Sequence, residues 1–137
     1  MDREIKFRGK STENSDWTYG DLVRPLCLPG LLPEIFSYIQ EEEGVMRNYQ
    51  TPVYPDTIGQ YTGLKDKNGV EIYEGDIMSK KPGDKRKGVI KWNLEKCKFQ
   101  CEWKNGDLPS DINMILFNRG YVVGNIHDNP ELIKKEE

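Results

Sequence analysis

Apolar and polar residues alternate through most of this chain, with the period of two that a strand covering a core requires. Ile5-Lys6-Phe7-Arg8 opens the pattern as a short half-buried strand, and a polar turn follows from Lys10 to Asp16. Trp17-Thr18-Tyr19-Gly20-Asp21-Leu22-Val23 resumes it with aromatic and β-branched residues, until Pro25 and Pro29-Gly30 break the run. Leu31 to Glu43 departs from the alternation. Pro33 suits a first helical turn, Ile35, Phe36 and Ile39 fall at helical spacing, and Gly44 can end the helix. A helix near residues 33–43 is therefore expected. It should be short, because Glu41-Glu42-Glu43 would sit at the negative end of its dipole.

From Ile58 onward the pattern is almost wholly β. Asp66-Lys67-Asn68-Gly69 separates Ile58 to Leu64 from Val70 to Tyr73, and Asn68-Gly69 suits the positive φ values of a type I′ hairpin turn. Glu74-Gly75-Asp76 makes a second turn before Ile77-Met78. There Gly75 supplies backbone freedom, and Asp76 can accept bonds from backbone N–H groups. Gly88 to Trp92 and Lys96 to Trp103 read as a hairpin pair, with Cys97, Phe99, Cys101 and Trp103 on one face. Ile112 to Phe117 is an apolar run of ambiguous type, Tyr121 to Ile126 a last strand, and Asn129-Pro130-Glu131 a capped turn.

Short strands joined at regular spacing by Gly-rich turns predict a mainly β fold, with a small antiparallel barrel in the C-terminal half. Ile72, Ile77, Ile90, Trp92, Phe99, Cys101 and Val123 are expected near its core. The expected organisation is a β-containing part over residues 1–56, with the short helix, and a barrel region over 57–137, both in one integrated compact unit. Tyr19-Gly20-Asp21-Leu22-Val23 echoes Tyr73-Glu74-Gly75-Asp76-Ile77-Met78, a similarity too short to establish a repeat.

Composition narrows the function classes. The chain has 137 residues, enough for one sizeable core, and its 3 Trp, 7 Tyr and 4 Phe are not the makeup of a disordered chain. No apolar run approaches the roughly 20 residues of a membrane-spanning helix, and the charged start lacks the apolar centre of a signal peptide. A cytoplasmic protein without membrane contact is expected. The net charge of −3 gives no general pull toward polyanions.

The candidate chemistry is sparse. Glu74 and Asp76 pair two carboxylates, but no nucleophile or base accompanies them, so turn fixing by Asn68, Gly69, Gly75 and Asp76 is the stronger reading. Cys27, Cys97, Cys101 and His127 could in number hold a structural zinc. In a continuous strand, however, Cys97 and Cys101 would stand roughly 13 Å apart at about 3.4 Å per residue. Buried, reduced thiols and no metal or other cofactor are expected. Catalysis has no support: His127 is the only histidine, and the glycines fall in hairpin turns rather than ahead of a helix.

Binding is the better class. Trp17, Trp92, Trp103 and several Tyr residues can serve either as core or as contact surface. Lys80, Lys81, Lys85, Arg86 and Lys87 place five cations in eight positions around Pro82-Gly83, opposed within the loop by Asp84 alone. That loop is a candidate nucleic-acid contact. Association with another protein, or with a second copy of the chain, is the leading expectation, and nucleic-acid binding is the alternative.

Three blocks carry a resemblance. Arg3-Glu4-Ile5-Lys6-Phe7-Arg8-Gly9-Lys10, followed by Trp17-Thr18-Tyr19-Gly20-Asp21-Leu22, is similar to the start of the YopX family of phage and prophage proteins. The long block from Thr57 to Ile77 and the ending Val122 to Leu132 resemble the same family, in the same order. The resemblance implies a phage or prophage origin, with an N-terminal β-containing part followed by an SH3-like barrel. The family has no established activity or cofactor, so the resemblance assigns no role to any position.

Overall fold

The computed structural model describes residues 3–24, 30–40, 44 and 46–134, with the side chains of 39, 40 and 46 left aside. Pro25, Cys27, Pro29 and Glu41 to Glu43 lie outside the described residues. The chain divides into two compact units, Met1–Tyr61 and Thr62–Glu137.

In the first unit, β1 (Phe7–Lys10), β2 (Trp17–Val23), β3 (Glu34–Gln40), β4 (Met46–Pro52) and the start of β5 (Gly59–Lys65) form an antiparallel sheet in the order β4-β3-β2-β1-β5. The helix expected near 33–43 is not formed: residues 34–40 are β3. Ile35 pairs with Leu22 on one side and Thr51 on the other, and it is fully buried. Ile, Phe and Tyr favour the pleated surface, and two neighbouring strands satisfy the backbone on both sides of β3, which outweighs the apolar spacing. Gly20 makes this contact possible, since a Cβ there would lie 2.0 Å from the Phe36 carbonyl oxygen. Ile35 and Val53 centre the buried apolar residues of this unit, and Gly9 packs directly on Val53.

In the second unit, the end of β5 and β6 (Glu71–Tyr73) form a hairpin. The remaining strands are β7 (Asp76–Ser79), β8 (Lys87–Asn93), β9 (Lys98–Trp103), β10 (Ser110–Asp111) and β11 (Tyr121–Asn125). They form a sheet in the order β10-β9-β8-β7-β11. This corrects the expected SH3-like barrel. The order ends at β10 on one side and β11 on the other, so the sheet is open. β10 has only two residues before the chain turns into α1 (Ile112–Phe117), which leaves too little strand there for closure.

α1 resolves the ambiguous apolar run. It ends in a Schellman motif: Gly120 N donates to the Ile115 carbonyl at 2.8 Å and Arg119 N to that of Leu116 at 3.0 Å. Arg119 takes the left-handed conformation that closes the motif, with φ +64°. Gly120 has to be small, because a Cβ would meet Ile115 Cγ2 at 2.2 Å and the Ser79 carbonyl oxygen at 2.5 Å.

The core of this unit joins Ile72, Met78, Ile90, Cys101, Trp103, Ile112 and Ile115. Ile72, Ile77, Ile90 and Cys101 are buried as expected, Phe99 packs against the core from its margin, and Val123 is only half-buried. Trp92 departs from the expectation. It is 44% exposed and rests edge-on against Phe99, with ring centroids 4.9 Å apart, whereas Trp103 is 4% exposed. Trp92 pairs with Phe99 beside the turn that closes the β8–β9 hairpin, at the opposite end of the ladder from Trp103.

The turn at Asp66 is also of a different kind. Gly69 has φ +78°, but Asn68 does not share the positive φ that a type I′ turn demands. Gly69 N donates to the Asp66 carbonyl at 3.0 Å and Asp66 N to that of Val70 at 2.9 Å, which describes a type I turn followed by a glycine bulge.

Candidate interaction surface

The basic loop between β7 and β8 is folded on acids. The Arg86 guanidinium straddles the Asp84 carboxylate, with Nε 3.0 Å from both oxygens, and Arg86 N donates to Asp84 Oδ1 at 2.8 Å. Asp107, which follows β9, brings a second carboxylate to 3.4 Å from Arg86 Nη1 and 3.3 Å from Lys80 Nζ. Lys80 also lies over the Trp103 ring at 5.0 Å from its centroid. Lys87 Nζ donates to the carbonyls of Asp84 and Lys85, and Lys81 and Lys85 are exposed. The loop is thus opposed by two acids rather than one. Asp107 lies more than twenty residues beyond Lys80, and the spacing within the loop gave no sign of it.

Hydrogen bonds from the Arg86 side chain and then from its backbone N–H hold the Asp84 carboxyl well below the usual carboxylate range. A carboxyl depressed by folding contributes stability above its unfolded pKa of about 3.9, and that stability is lost as pH falls through the lower folded value. Asp84→Asn is accordingly expected to be less stable than wild type at neutral pH, with the difference narrowing below about pH 4. Urea midpoints for both proteins across that range check this, and a gap independent of pH would contradict it.

The loop's cations part into two clefts. Lys80 joins Lys96, Lys98 and Met114 along a cleft of about 500 Å³. Lys98 there pairs with Asp111 at 2.9 Å, and Asp111 also accepts from Gln100 Nε2 at 3.0 Å. The Gln100 bond, followed by that of Lys98, lowers the Asp111 pKa. Lys85, Arg86 and Lys87 line a second cleft of about 410 Å³ together with Lys104 and Lys134.

The turn residues are placed as follows. Asp76 Oδ2 accepts from Tyr73 N at 2.7 Å, and Gly75 has φ +86° beside Ile126. Asn68 donates its backbone N–H to Asp66 Oδ1 at 2.9 Å. The carboxylate that gathers this turn is Asp66, which the sequence reading passed over.

Cys97 is exposed, in a turn with φ +51° just before β9, so it does not share the inward face of Cys101. Burial pushes the Cys101 thiol up to about 12. Cys27 lies outside the described residues, and among the described residues no three His, Cys, Asp or Glu side chains come together as metal ligands.

Three strongly exposed apolar side chains of this unit lie on α1 or shortly before it in the chain, and another, Leu94, stands in the β8–β9 turn at 80% exposure. Ile112 and Ile115 face the core, while Met114 and Phe117, one turn apart, face outward at 58% and 84% exposure. Leu108 is 86% exposed, and its neighbour Pro109 lines the same cleft as Met114. The signal was present in Ile112 to Phe117, where five of six residues are apolar and a single buried stripe needs fewer.

No helix among the described residues is long and apolar enough to cross a membrane. Among curated proteins nothing matches this chain. Among solved structures it is similar to protein EF1440 from Enterococcus faecalis, with 29% identity and a TM-score of 0.54 over 96% of this chain and 99% of that one. The family model described as YopX protein matches residues 6–134, and the chain therefore belongs to the YopX family.

Proposed function

We propose that this phage- or prophage-derived protein is a non-catalytic protein-interaction module that engages its partner through the outward face of α1. The observation that carries this reading is the exposure of Phe117, Met114 and Leu108 around one short helix, on a chain whose surface is otherwise rich in charge. Contiguous apolar side chains held in water by a well-packed scaffold mark contact surfaces, and Met and Phe are among the residues that concentrate there. The partner is a host or phage protein, or a second copy of this chain, and the setting is the bacterial cytoplasm. The basic loop supports a contact role less well, because Asp84 and Asp107 already hold Arg86 and Lys80.

Met114→Lys/Phe117→Asp alters only exposed positions, so the double variant should keep the wild-type unfolding free energy in urea to within about 0.5 kcal/mol. Light scattering across a concentration series, with affinity capture from bacterial lysate alongside, is expected to show association or a stoichiometric partner for wild type and neither for the variant. Equal behaviour of the two proteins would overturn the reading.

A further inference from the structure

The geometry points to a second binding site, a cleft on the Thr62–Glu137 unit that takes the phosphodiester backbone of a nucleic acid. The site is not the basic loop as a whole. It is the half of the loop after Pro82-Gly83, completed by two lysines distant in sequence. Lys85, Arg86 and Lys87 form one wall, Lys104 comes from the turn after β9, and Lys134 follows the C-terminal 3-10 turn Pro130–Ile133. Leu132 and Ile133 supply the apolar part of the lining.

Five cations thus bound a space of about 410 Å³, in a protein whose net charge is −3. Among the described residues no acid lines the cleft. Asp84 and Asp107 instead engage Arg86, and among the described residues no acid pairs with Lys85, Lys104 or Lys134. Concentrating one sign of charge in a concave site raises the local potential well above what net charge suggests.

The residue types select the ligand. A carboxylate-bearing peptide would be gripped best by the planar fork of an arginine, but the fork of Arg86 already holds Asp84. The remaining lysines are flexible point charges, suited to phosphates along a strand. No aromatic ring lines the cleft, so bases are not stacked there and binding is indifferent to sequence.

The test is fluorescence anisotropy of the full chain with a labelled mixed-sequence single strand and with its duplex. With Lys85, Lys104 and Lys134 each neutralising one phosphate, a single strand should show a logarithmic salt slope of about −2, or roughly 20-fold weaker binding between about 50 and 200 mM salt. Lys104→Glu/Lys134→Glu should weaken binding at low salt by about tenfold or more, since it removes two of the three contacts and repels the backbone. Lys96→Glu, a single charge reversal in the other cleft, should stay within about twofold of wild type. No binding at low salt, or equal weakening by Lys96→Glu, would overturn the site. Equally tight binding of a labelled poly-glutamate peptide would overturn the choice of ligand.

Discussion

Trp103→Ala is expected to destabilise the Thr62–Glu137 unit by about 3–5 kcal/mol, the cost of removing a packed aromatic from a core that cannot collapse around the gap. The indole belongs to the buried cluster of Ile72, Met78, Ile90, Cys101, Ile112 and Ile115, and its Nε1 donates to Ser110 Oγ at 2.9 Å. Gly88 lies across the sheet with no room to spare, since a Cβ there would stand 2.8 Å from the ring. Trp92→Ala, on the same sheet, removes an edge-on contact with Phe99 and a ring already 44% exposed. Its cost should be only about 1 kcal/mol. Urea denaturation of the two variants separates them, and equal midpoints would contradict the placement of the core on Trp103.

Asp66→Ala should cost about 3 kcal/mol, although its side chain fills no apolar core. The buried Asp66 carboxylate accepts from Asn68 N at 2.9 Å and Val70 N at 3.0 Å through Oδ1, and from Val122 N at 3.0 Å through Oδ2. One side chain therefore ties the β5–β6 hairpin to β11. Hydrogen bonds to a charged acceptor contribute about 1.5–3 kcal/mol each, and truncation leaves partly buried donors without a partner. The three are coupled, so their sum overstates the loss. Asp66→Asn keeps one oxygen and should cost less than Asp66→Ala. Amide exchange at Val122, read beside the urea midpoint, should speed up in both variants; unchanged protection at Val122 would show that this tie does not hold β11.

Much of the second unit was legible in the chain because its strands alternate cleanly and its turns carry glycine. The Gly88–Trp92 and Phe99–Trp103 segments pair as the pattern expects, with Ile90 opposite Cys101. What alternation cannot state is how far along a strand the core extends. Trp92 shares the face of Ile90 by period, yet lies past the core's edge, and Cys97 belongs to the turn rather than to the strand. The helix expected near 33–43 failed for a related reason. Ile35, Phe36 and Ile39 satisfy helical spacing, and only the pairing of β3 with β2 and β4 decides against it.

Barrel closure failed because strand number and turn placement do not fix which sheet ends meet. Here α1 follows a two-residue β10, and the sheet stays open. The candidate surfaces were half legible. The basic loop was visible as a run, but Asp107, Lys104 and Lys134, which reshape it, come to it only through folding.

The central claim, that α1 presents the contact surface, is tested most directly by replacing Phe117 with a photo-crosslinking amino acid in bacterial cells and irradiating them. Placing the same group at Lys91, an exposed β8 position that pairs with Glu102 at 3.5 Å, provides the control. The account predicts one dominant adduct from position 117, either with a single protein or with a second copy of the chain, and none from position 91. No adduct at 117, or the same adducts from both positions, would contradict it.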